Sequence, residues 1–106
     1  MDRMLDNNNL TMLTDFYELT MANGYLQNGL GDRIAVFDMF FRKVPDNGGF
    51  AIMAGVEQLI SYLKNLKFMD EDIEFLRGKG FSEDFLDYLR NFKFTCDVWA
   101  VPEGTP

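Results

Sequence analysis

Histidine is absent from the 106 residues, and cysteine occurs once. The first absence removes His-based metal sites, imidazole acid–base chemistry and His-activated nucleophiles from this chain. The second rules out an internal disulfide and fits a reducing, cytoplasmic location. Basic residues are few as well: 10 Lys and Arg stand against 17 Asp and Glu, a net charge of −7. A nucleic-acid footprint is basic, so nucleic acid is set aside as a partner. No apolar run approaches the ~18 residues of a membrane span, so no membrane partner is expected. Met1–Asn9 contains Asp2, Asp6 and three Asn and no apolar segment, so it does not read as a signal peptide. P-loop, dinucleotide-binding and metal-ligand patterns are also missing.

What the chain does contain is apolar surface. Hydrophobic residues make up 47% of it, and 11 residues are Phe. That is too much for a disordered segment. The length suits one domain, with roughly 65% of the unfolded surface buried on folding.

Residues 1–9 read as a flexible lead-in, and 10–106 as one domain. The first helix is expected from about Leu10 or Leu13 to Asn28, with Gly29 and Gly31 stopping it. Thr14 and Asp15 suit its cap. Phe16, Tyr17, Thr20, Met21 and Gly24 follow at helical spacing. A helix opening offers free N–H groups and a partial positive charge, which suits an anion; the packing alternative is a capped helix with a core tyrosine. Gly24 costs about 1 kcal/mol against Ala, which is expected to allow close approach of another backbone.

Three strands are expected. Ile34–Arg42 is apolar on both faces and reads as central, with Asp38 as a paired structural acid. Phe50–Met53 is short. Phe92–Val101 alternates, with Cys96 as an inert core thiol and Trp99 as a packing or partner-facing residue. Between them lie a helix beginning after Gly55, one capped at Asp70 and ended by Gly78, and one capped by Ser82. Phe81 packs on Leu86 as a staple in this last helix. Acids at the helix starts with Arg77 and Arg90 near the ends match the helix dipole. The expected fold is therefore α+β, a small mixed sheet packed with about four helices.

Two features point to a ligand. One is the Thr14–Tyr17 helix start. The other is Arg42-Lys43, a cation pair ending an apolar strand; Arg binds phosphate through two bonds and Lys adds a compact charge. A solvated strand end is the plain alternative. Gly48-Gly49 reads as a turn rather than a phosphate loop.

The blocks Leu13-Thr14-Asp15-Phe16-Tyr17-Glu18-Leu19-Thr20-Met21-Ala22, Ala35-Val36-Phe37-Asp38-Met39-Phe40-Phe41-Arg42-Lys43 and Gly49-Phe50-Ala51-Ile52-Met53-Ala54-Gly55 resemble the N-terminal region of nicotinate phosphoribosyltransferases. Phe85-Leu86-Asp87-Tyr88-Leu89 and Val101-Pro102-Glu103-Gly104-Thr105 continue the match. The resemblance implies an enzyme joining nicotinate to phosphoribosyl pyrophosphate to give nicotinate mononucleotide, assisted by ATP with Mg2+. It implies the N-terminal α/β domain of a type II phosphoribosyltransferase, truncated before a barrel domain, in a homodimer whose active sites lie between one subunit's N-terminal domain and the other's barrel. Tyr17 then matches the tyrosine that stacks on the pyridine ring, and Arg42 the arginine near the phosphates, with Asp15 and Lys43 close by. The family's catalytic residues fall in the barrel, so no catalytic residue, and no bound cofactor, is expected in this piece. A free-standing interaction or oligomerisation module is the alternative. An apolar patch that makes the chain self-associate is expected as well.

Overall fold

A computed structural model describes residues 9–106. Among these residues four α-helices follow one another: α1 (Phe16–Gln27), α2 (Val56–Lys64), α3 (Asp70–Gly78) and α4 (Glu83–Arg90). A single 3-10 turn, Pro45–Asn47, interrupts the long connection between α1 and α2.

The helices follow from local signals. Asp15 occupies the cap position of α1, but its side chain makes no capping bond. The helix ends at Gln27, and Gly29 adopts φ +74°, the left-handed conformation expected after a helix end. Asp72 accepts the Met69 N–H at 2.9 Å at the start of α3. Ser82 caps α4 by accepting from the Phe85 N–H at 3.4 Å.

The core is small and lies at the α3–α4 pair. Ile73 and Leu76 of α3 and Phe85, Leu86 and Leu89 of α4 are buried, together with Phe81 between them. Leu19, Ala22 and Leu26 of α1 pack on this cluster, as do Met12 and Phe68. The periodicity explains it: Phe85, Leu86 and Leu89 fall on one side of a single helix. Rings continue the packing outward, with Phe16 5.6 Å from Phe81, Phe81 5.4 Å from Phe85, and Tyr88 6.0 Å from Phe92. Ser82 also ties α4 to α1, since its hydroxyl accepts from Gln27 Nε2 at 2.9 Å. Of the expected lead-in only Asn9 is described. It donates to the Lys67 carbonyl, and its side-chain oxygen accepts from the Thr11 N–H.

The expected α+β sheet is not there. Among the described residues there is no strand. Residues 34–43 take part in no backbone–backbone hydrogen bond. Ile34, Val36, Phe37 and Met39 are 84–95% exposed, and Trp99 is 94% exposed. Phe50–Met53 contributes only a short backbone contact with the end of the chain: the Met53 N–H donates to Thr105 O and the Gly104 N–H to Met53 O, both at 2.8 Å. The reason is that a strand, unlike a helix, takes its hydrogen bonds from elsewhere in the chain, and a strand apolar on both faces needs cover on both. The helical core lies elsewhere and supplies neither.

Side chains assigned to that sheet move with it. Cys96 is exposed rather than a core thiol. Asp38 is exposed, without a hydrogen bond or ion pair among the described residues. Gly24 is also corrected: a Cβ there would meet nothing within 4 Å, so no backbone approaches it.

Candidate functional site

The helix start and the cation pair are both on the surface. Tyr17 occupies the first turn of α1 and is 60% exposed. Its carbonyl accepts from the Thr20 hydroxyl at 2.9 Å, while its ring takes part in no ring–ring pair among the described residues. The α1 sequence explains this placement. Leu19, Ala22 and Leu26 turn toward the core, and Tyr17 lies two residues from Leu19, away from that side. The structure thus excludes a buried core tyrosine. Asp15, beside it, is exposed and leaves the α1 N-terminal N–H groups uncapped by its side chain.

Arg42 and Lys43 are exposed at the end of the apolar stretch. The Arg42 guanidinium lies 5.9 Å from the Phe40 ring centroid, a cation–π contact that leaves its N–H donors free for an anion. No hydrogen bond, ion pair or ring contact joins Asp15 or Tyr17 to Arg42 or Lys43 among the described residues. Each of the two groups is presented to solvent by itself.

One arrangement that composition did not reveal is a clasp at the start of α2. Gly55, the cap residue, has φ +99°, which disfavours any residue with a side chain. It provides no capping side chain of its own. Glu103 supplies the cap from the far end of the chain, accepting the Gly55 N–H at 2.9 Å and the Val56 N–H at 3.0 Å, one on each carboxylate oxygen. A carboxylate at a helix N-terminus is favoured by both hydrogen bonding and the dipole. The signal in the sequence was the missing Ser, Thr, Asp or Asn before Val56.

Arg77 bridges Glu74 of its own helix and Glu83 of α4, the latter at 2.7 Å. The guanidinium holds the Glu83 carboxyl below the usual carboxylate range, and the two carboxylates push the Arg77 pKa up. This is a surface bridge between helices rather than reactive chemistry. An open depression of about 840 Å³ lies between α1 and α4, bordered by Gln27, Asp84, Asp87, Tyr88 and Lys93. None of the sequence-predicted site residues lines it.

Among the described residues no three acidic or cysteine side chains converge to hold a metal ion.

Residues 12–106 match the family model for the nicotinate phosphoribosyltransferase N-terminal domain. The chain belongs to that family. It is 42% identical over 95 residues to nicotinate phosphoribosyltransferase pncB2 of Mycobacterium tuberculosis, an alignment covering 89% of this chain and 20% of the relative. It is 39% identical over 99 residues to the Bacillus subtilis nicotinate phosphoribosyltransferase, covering 92% and 20%. The human nicotinate phosphoribosyltransferase is 35% identical over 98 residues, covering 89% and 18%. This member of the family thus spans about a fifth of the length of these relatives. Tyr17, Arg42, Lys43 and Glu103 all lie inside the matched N-terminal domain. No helix among the described residues is long and apolar enough to cross a membrane.

Proposed function

We propose that this chain is the N-terminal part of a nicotinate phosphoribosyltransferase. The whole enzyme joins nicotinate to phosphoribosyl pyrophosphate to give nicotinate mononucleotide, with ATP hydrolysis assisting, in the cytoplasm. The chain's own contribution is to bind and position substrate. Tyr17 presents its ring face to the pyridine. Arg42 and Lys43 hold phosphate oxygens through charge-assisted bonds, and Asp15 shapes the helix start beside Tyr17. ATP and Mg2+ are held outside these residues. The active site is completed by the barrel domain of a second subunit in a homodimer.

The observation that carries this reading is the exposure of Tyr17: 60% of an aromatic residue stands in solvent on the first turn of α1, without a ring partner among the described residues. An aromatic ring that serves only packing is normally covered. A free-standing interaction module accounts for the exposure equally well but not for the family match over residues 12–106.

The test is complementation in the whole enzyme. Tyr17→Ala subunits are co-expressed with subunits inactivated in the barrel. Recovery of about a quarter of the wild-type sites, the statistical expectation for random pairing of two subunit types in a two-fold dimer, supports a shared site. No recovery in confirmed heterodimers means that Tyr17 serves its own subunit's barrel, and the shared-site reading fails.

A further inference from the structure

The chain contains three Asn–Gly pairs: Asn23-Gly24, Asn28-Gly29 and Asn47-Gly48. Such a pair can react within itself. The Gly backbone nitrogen can close a ring on the Asn side-chain carbonyl carbon, because Gly has no Cβ to obstruct the approach and its backbone turns freely. Ring closure requires that the Asn amide is free to leave, that the Gly N–H is released from its own hydrogen bond, and that the backbone between them can rotate. The fold treats the three pairs differently.

The first two pairs are held. Asn23 lies inside α1, partly buried, and its side-chain oxygen accepts from Gln27 Nε2 and from the Ser82 hydroxyl, both at 3.4 Å. Gly24 stands in the helix interior, where its N–H belongs to the helical ladder and its backbone cannot rotate without breaking α1. Asn28 ends the same helix. Its Nδ2 donates to the Gly24 carbonyl at 2.7 Å. The Gly29 N–H donates to the Leu26 carbonyl at 3.3 Å, and the Leu30 N–H to the Tyr25 carbonyl at 2.9 Å closes the turn around it. Both the leaving group and the attacking nitrogen of this pair are engaged.

Asn47-Gly48 is open. Asn47 and Gly48 are exposed, and the Asn47 side chain takes part in no hydrogen bond among the described residues. The Gly48 N–H has one bond, to the Pro45 carbonyl at 3.1 Å, at the surface. The stretches on either side of the turn, 34–43 and 49–52, take part in no backbone–backbone hydrogen bond, so nothing beyond this bond braces the loop. Asp46 and Asn47 have φ of 56° and 54°, the left-handed region that residues with side chains enter at a cost. A turn with exposed bonds and few packed neighbours opens readily.

We infer that Asn47 is a site of spontaneous deamidation through a cyclic imide, and that the fold directs the reaction to this pair among the three. The Gly48 nitrogen gives its proton to solvent base and attacks Cγ of Asn47. An N–Cγ bond forms, the Cγ–Nδ2 bond breaks, and the amide leaves as ammonia after taking up a proton from solvent. Water then opens the imide at one of its two carbonyls, giving aspartate with the normal peptide link or isoaspartate with the chain running through the side chain. No oxidant or reductant takes part. The chain, at −7, becomes one charge more negative, next to Asp46. The inference is independent of the enzymatic reading, because it concerns the 106-residue chain alone.

The test follows the wild-type chain incubated in mildly alkaline buffer, with samples taken over time, digested at mildly acidic pH and mapped by mass spectrometry. Deamidation should appear at position 47 several-fold faster than at 23 or 28. It should rise with pH, and both aspartate and isoaspartate should form. In guanidinium, where the helix no longer protects, positions 23 and 28 should speed up toward the rate at 47. Gly48→Ala is the second probe. Its Cβ would meet the Pro45 carbonyl oxygen at 3.4 Å, the Phe50 carbonyl oxygen at 3.5 Å and Val44 Cγ1 at 3.6 Å, ordinary contact distances, and Gly48 has φ −71°, which alanine adopts. This variant should keep the helical circular dichroism and deamidate several-fold more slowly at 47. Equal rates at the three positions in buffer, or a faster rate at 23 or 28, overturn the inference. So does a product at 47 without isoaspartate, which means direct hydrolysis, or an unchanged rate in Gly48→Ala.

Discussion

Truncating Tyr17 separates a ligand-facing ring from a packing ring, and its cost can be worked from its surroundings. The residue is 60% exposed, so two-fifths of its surface is covered. For a side chain of roughly 200 Å² that is on the order of 80 Å², worth at most about 2 kcal/mol at ~25 cal/mol per Å². Alanine retains part of that contact, and its better helix propensity returns about 0.5 kcal/mol. The Thr20 hydroxyl bonds the Tyr17 backbone carbonyl, so this bond survives. Tyr17→Ala should therefore lower the stability of the chain by about 1 kcal/mol, against the ~3–5 kcal/mol of a buried aromatic. Urea unfolding followed by far-ultraviolet circular dichroism measures this; Trp99, 94% exposed, is a poor reporter of the core. In the whole enzyme the same change should raise the nicotinate KM, while Tyr17→Phe keeps the ring face and stays close to wild type. A stability loss above about 3 kcal/mol would show that the ring is structural and would remove the main support for its role in stacking.

The chain alone should form no nicotinate mononucleotide from nicotinate and phosphoribosyl pyrophosphate; product above a no-protein blank contradicts the division of labour proposed here. Phe85→Ala should cost about 3–5 kcal/mol, since Phe85 is fully buried between Phe81 and Tyr88, and a urea midpoint close to wild type would show that the core is elsewhere. Glu103→Ala removes the cap of α2 and should cost about 0.5–2 kcal/mol, with faster amide exchange at Gly55 and Val56; unchanged exchange there would mean that the clasp is not formed. The Glu83 carboxyl lies below its ordinary value in the folded chain, so its contribution to stability is complete above the unfolded value near 4.3 and disappears as pH falls through the lower folded value. Arg77→Met should flatten that acid limb, and an unchanged pH profile would show that the bridge is not populated in solution.

Local chemistry made the helices readable. Gly29 and Gly78 mark helix ends, Ser82 a start, and the Phe85–Leu86–Leu89 spacing marks a buried face; each acts within one or two turns of its own position. Family membership was readable for a related reason, since the blocks around Thr14–Ala22, Ala35–Lys43 and Gly49–Gly55 are contiguous stretches. The candidate ligand residues were named by the same blocks, but their setting was not. Whether Tyr17 faced the core or solvent depended on which side of α1 packs against α3 and α4, and Leu19, Ala22 and Leu26 decide that. The sheet was the main misreading. Alternation along Ile34–Arg42 and Phe92–Val101 records what a strand could bury, whereas a strand exists only where a second backbone supplies its hydrogen bonds. Glu103 illustrates the converse. An acid in a Pro-Glu-Gly turn carries no local sign that it caps Gly55 and Val56, and only the folded chain brings the two together.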